Sequence, residues 1–90
     1  MSAAVGMLAL RITVTDAWRT VEVRLPAGTA AGEAKRQALA GAGIDARRAG
    51  DYLLKFAGTP VGDEAQRLDA IGVPDGAGLV VCPRRRRPVR

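Results

Sequence analysis

The chain has no histidine and a single cysteine, Cys82. Without an imidazole there is no Cys-His or Ser-His catalysis, and the common zinc sites and any disulfide framework are excluded as well. A lone thiol fits a reducing cytoplasm, which is the localisation these residues suggest. Aromatic side chains are scarce: Trp18, Tyr52 and Phe56 are the only ones. No apolar run approaches the roughly 20 residues that a membrane-spanning helix requires. Residues 1–10 are apolar and small, but they lack a basic start and are interrupted by Gly6, so they do not read as a secretion signal.

What is present suits one small domain. The chain has 90 residues, of which 48% are hydrophobic, enough for a single thin core of Val, Leu and Ile. The net charge is +5, and its location matters more than its size. Basic and acidic residues balance through residue 83, whereas residues 84–90 hold five Arg and no acid. The excess positive charge therefore belongs to a tail and not to the globular body.

Leu10-Arg11-Ile12-Thr13-Val14-Thr15 alternates apolar and polar residues, the period of a half-buried strand. After a break at Asp16-Ala17-Trp18-Arg19, Thr20-Val21-Glu22-Val23-Arg24-Leu25 resumes it and Pro26 stops it. Two such runs predict a hairpin with Leu10, Ile12, Val14, Val21, Val23 and Leu25 on one side. Ala31, Ala34, Ala38 and Ala42, with Leu39, recur at helical spacing opposite Glu33, Lys35, Arg36 and Gln37. Thr29 is the expected N-cap, and Gly43 followed by Ile44 suits a Schellman ending. A polar connection leads to a third strand at residues 52–56, with Tyr52, Leu54 and Phe56 on one face and Leu53 and Lys55 on the other. Gly58-Thr59-Pro60 turns the chain, and Val61 is available for a short strand. A helical turn is expected near Leu68-Asp69-Ala70-Ile71. The continuous apolar run Leu79-Val80-Val81-Cys82 fits a central strand.

Few residues invite chemistry. Asp63, Glu64 and Asp69 lack the spacing of a calcium loop and read as a solvated loop. No carboxylate pair has a partner base, so no catalytic constellation is visible and the chain is expected not to be an enzyme. Cys82 reads as a small apolar strand residue, with a reactive thiol beside Arg84 as the alternative. Trp18 sits at the hairpin tip, either as an exposed binding anchor or folded back over the sheet edge. Arg84, Arg85, Arg86, Arg87 and Arg90 form a solvated tail or an anion-binding segment. For the second case, an acidic protein, a membrane surface and a nucleic acid are all candidates.

The order of these elements, with "TAAGEAKRQALAGAGID", "LLKFAGTPV" and "RLDAIGVPDGAGLVV", resembles ubiquitin from about Leu10 to Cys82. The resemblance implies an α+β, ubiquitin-like β-grasp fold: a mixed four- to five-stranded sheet packed on one main helix. It would span residues 10–83, between a flexible segment 1–9 and a basic tail 84–90. Ubiquitin and the sulfur carriers end in Gly-Gly, and no Gly-Gly pair occurs here. A modifier or sulfur carrier thus remains an alternative only with unusual maturation. Lys55 and Cys82, with Asp16 or Ala17, stand where ubiquitin has its apolar binding patch.

"IGVPDGAGLVV" followed by basic residues also resembles the closing motif of the bacterial YukD/EsaB-like family. The same motif marks the ubiquitin-like domain of EccD proteins of type VII secretion, although Ala77 stands where it has an acidic residue. That resemblance implies a cytosolic accessory or docking domain without enzymatic activity, whose partner would be another protein such as a secretion-system component. No cofactor is expected. The candidate binding residues are Arg11, Thr13, Leu53, Lys55, Val80 and Cys82 on one sheet face, with Trp18 beside them. Oligomeric state is open.

Overall fold

The computed structural model describes residues 6–84. Two strands, β1 (Met7–Val14) and β2 (Arg19–Pro26), lead into helix α1 (Ala31–Gly41). A 3-10 segment (Ala46–Asp51) precedes β3 (Tyr52–Phe56) and β4 (Thr59–Pro60), and a short helix α2 (Leu68–Ile71) precedes β5 (Gly78–Pro83). The sheet order is β2-β1-β5-β3-β4, with β1 and β5 parallel and the other neighbours antiparallel. This is the expected α+β arrangement, with five strands and the apolar β5 at the centre. The strand begins at Met7, three residues before the expected Leu10 start, because Leu8 is buried opposite Leu25.

Alternation drives the packing. Leu8, Leu10, Ile12 and Val14 of β1 are buried, as are Tyr52 and Leu54 of β3 and Leu79 and Val81 of β5. They meet Ala31, Ala34, Ala38 and Leu39 of α1, whose small side chains let the helix approach the sheet. The approach is closest near the helix end, where a Cβ on Gly41 would lie 2.6 Å from Val21 Cγ1. Val21 and Val23 point to the core side as predicted but stay half-buried, because β2 is the outermost strand.

The ends of α1 separate one expectation that holds from one that does not. Gly43 adopts φ 86° and donates to the Ala40 carbonyl, while Ile44 N donates to the Leu39 carbonyl at 2.9 Å. That is the predicted Schellman pattern. At the other end Ala30, not Thr29, is the N-cap, and no side chain caps the helix. The free N–H groups of Ala31 and Gly32 donate instead to the Gln66 and Glu64 carbonyls, both at 2.8 Å. A loop more than thirty residues away supplies what a capping hydroxyl otherwise would.

Ala57 (φ 55°) and Gly58 (φ 81°) join β3 to β4 as a two-residue turn with both centres left-handed. Such turns match strand twist and favour Asn-Gly. Ala57 carries a Cβ penalty there that Asn tolerates better. Ala57→Asn is expected to raise stability by about 0.5–1 kcal/mol, read as a higher urea midpoint at unchanged slope.

Candidate interaction surface

The strand registers place six predicted residues on the sheet face that turns away from α1. Thr13 lies opposite Thr20 and Val80, and Val80 lies opposite Lys55. Leu53 lies opposite Cys82, while Arg11 lies between Glu22 and Gly78. Leu53 and Cys82 are half-buried and Val80 is 36% exposed, so the three form a small apolar area edged by Lys55. Arg11 Nε approaches Glu22 Oε2 at 3.6 Å, with both side chains largely exposed. Such a pair contributes little to stability.

Trp18 adjoins the Cys82 end of this face. Its turn is tied to β5, since Thr15 N donates to the Val81 carbonyl at 3.0 Å. Trp18 is 84% exposed, so it does not fold back over the sheet edge. Its φ is 51°, the left-handed region in which a bulky residue is a true outlier and glycine is usual.

The rest of that turn is braced from beneath. Tyr52 is buried, yet its hydroxyl donates to Asp16 Oδ2 at 2.7 Å, across 36 residues of sequence. The hydrogen bond to Asp16, with burial, pushes the Tyr52 phenol above its ordinary pKa of 10.0. The neutral phenol is thus the form that folding favours. Its contribution is complete below about pH 10 and is lost as pH rises through the elevated folded value. Tyr52→Phe is expected to cost about 1 kcal/mol at neutral pH. In urea titrations the gap between the two proteins should stay constant up to about pH 10 and narrow above it.

Arg84 is part of the body and not of a free tail. Its N–H donates to the Asp51 carbonyl at 2.8 Å, and its Nε donates to the Gly50 carbonyl at 2.9 Å. Its guanidinium is therefore engaged in part with the 3-10 segment. The remaining candidates for anion binding, Arg85, Arg86, Arg87 and Arg90, lie outside the described residues.

The predicted solvated acids divide. Asp69 pairs with Arg67 at 2.8 Å, and Asp63 Oδ1 accepts from Ala65 N at 3.0 Å. Glu64 instead clasps Lys35, whose ammonium lies 2.7 Å from Oε1 and 2.8 Å from Oε2. Lys35 also donates to the Tyr52 carbonyl at 2.9 Å and is only 2% exposed, which corrects its assignment to the polar helix face. One spacing signal for this exists. Residues 31, 35 and 39 are four apart, so Lys35 shares a stripe with buried Ala31 and Leu39.

Similar architectures occur among solved structures. A designed protein based on ubiquitin superposes with a TM-score of 0.75 at 16% identity, covering 94% of this chain and 98% of that one. The fold is ubiquitin-like. Ubiquitin from Caldiarchaeum subterraneum gives a TM-score of 0.73 at 17% identity over 92% of this chain and all (100%) of its own. The ubiquitin-like domain of an Arabidopsis thaliana protein gives 0.73 at 13% identity, covering 99% and 89% of the two chains. No protein-family model matches the chain, and no curated protein matches it. In this ubiquitin-like frame the candidate face is the outer face of the sheet. Among the described residues, no helix is long and apolar enough to cross a membrane.

Proposed function

We propose that this ubiquitin-like domain is a non-enzymatic binding module that docks on another protein through its outer sheet face and the Trp18 turn. The observation that carries the reading is Trp18 itself, 84% exposed and held at φ 51°. A large apolar side chain with little to pack against gains nothing for the fold in that position. Its backbone conformation also costs on the order of 1–3 kcal/mol, a burden that concentrates at functional sites. Tryptophan is enriched among residues that dominate binding energy. The half-exposed Leu53, Val80 and Cys82 extend the same surface, and Lys55 and Arg11 supply a basic edge. The resemblance of the closing segment to YukD/EsaB-like proteins favours a cytosolic component of type VII secretion as the partner to test first.

Capture of partners from the native host tests the docking surface when the wild-type chain is compared with Lys55→Glu/Trp18→Ala. Recovery of the specific partner is expected to fall at least about tenfold, the loss of one hot-spot residue. Equal recovery by both proteins would place the binding surface elsewhere.

A further inference from the structure

The outer edge of the sheet is long, regular and chemically patterned. Arg11 N donates to the Ala77 carbonyl, and the Ala9 carbonyl accepts from Gly76 N, so odd-numbered residues of β1 direct their backbone toward the β5 side. Even-numbered residues of β1 therefore bond to β2, where the register pairs Leu8, Leu10, Ile12 and Val14 with Leu25, Val23, Val21 and Arg19. Ala27 N continues this alternation by donating to the Gly6 carbonyl. The N–H and C=O groups of Thr20, Glu22 and Arg24 consequently face outward from the sheet. The opposite edge is no equivalent, because β4 has two residues and ends in Pro60. One edge that can pair and one that cannot make a closed pair, not a fibre.

We propose that the domain associates with a second copy of itself by antiparallel pairing of β2 with β2, centred on Val23. Charge selects this register among those that bring the outward groups face to face. Centring on Glu22 would set that carboxylate against its own copy, and centring on Val21 leaves Arg24 without an acid opposite. Centring on Val23 puts Glu22 opposite Arg24 of the partner subunit, and the two-fold axis repeats the contact. Directly opposed unlike charges stabilise a strand pair, whereas like charges destabilise it. On the core side the same register sets Val21 against Leu25 of the partner subunit and Val23 against its own copy. That covers the two valines which the single chain leaves half-buried. Pro26, lacking an N–H, falls opposite Thr20 at the ends of the ladder, where an edge strand tolerates it.

Sedimentation equilibrium of the full chain from micromolar to millimolar concentration tests the pairing. The mass is expected to rise from the 9.4 kDa of one chain toward twice that value. Glu22→Arg and Arg24→Glu each set like charges together and should stay at the mass of one chain. Both side chains are exposed, so circular dichroism should show the fold intact. An equimolar mixture of the two variants should regain the doubled mass, because every contact between positions 22 and 24 then joins opposite charges. A wild-type mass that never rises, single variants that associate as the wild type does, or a mixture that fails to associate would each overturn the proposal.

Discussion

Glu64→Ala is expected to destabilise this domain by about 3 kcal/mol, far more than the loss of other carboxylates on its surface. The reason is the ion it leaves behind. Lys35 Nζ sits 2.7 and 2.8 Å from the two Glu64 oxygens and 2.9 Å from the Tyr52 carbonyl. Its side chain is 3% exposed while that of Glu64 is 25% exposed. Truncating Glu64 takes away most of the ammonium's compensation and leaves it with the Tyr52 carbonyl. An uncompensated buried charge costs more than the pair contributes when intact. The exposed Arg11–Glu22 pair gives the contrast: at 3.6 Å and mostly in water, its removal should change stability by less than about 1 kcal/mol. Urea unfolding of Glu64→Ala, Lys35→Met and Lys35→Met/Glu64→Leu separates the contributions. The double variant should lie within about 1 kcal/mol of wild type, since an apolar pair of similar size replaces the ionic one. A Glu64→Ala loss below about 1 kcal/mol would show that water reaches Lys35 and that the pair behaves as a surface one.

Trp18→Gly is expected to weaken partner binding by about 2 kcal/mol or more, roughly thirtyfold, without weakening the fold. Two opposing effects set the stability of this variant. Glycine adopts the φ of 51° without the Cβ clash, a gain of about 1–2 kcal/mol. It also adds freedom to the unfolded chain, a loss of about 0.4–1 kcal/mol. Little packing is forfeited, because Trp18 is 84% exposed. The urea midpoint should therefore hold or rise by the equivalent of up to about 1.6 kcal/mol. Titration of the variant against the captured partner gives the binding side of the comparison. Gain in one measurement with loss in the other is what a strained binding residue produces. A structural residue would lose both.

Much of the architecture was legible along the chain. Alternation marked β1, β2 and β3, and the third strand fell at Tyr52–Phe56 as expected. The left-handed glycines at 43 and 58 marked the end of α1 and the β3–β4 turn. These features are local: a period, a turn residue or a cap acts within a few positions. The candidate face was legible for the same reason, since alternate residues of a strand share a side. The exposure of Trp18 was not, because either orientation suits a hairpin tip.

The sequence by itself determined where β1, β2, β3, β5, α1 and α2 lie and which side of the longer ones is apolar, because period and turn chemistry act over short distances. It placed Thr59-Pro60 in a turn, whereas those two residues form β4 after a turn at Ala57-Gly58. Only the tertiary structure decided where polar groups find partners. Lys35 left the polar face because Glu64, 29 residues on, reaches it. Thr29 lost the cap because the carbonyls of residues 64 and 66 were already there. Tyr52 reached Asp16, and Arg84 reached Gly50, across 36 and 34 residues. A buried donor or charge must be satisfied by whatever the fold brings near it, and separation along the chain carries no record of that neighbour.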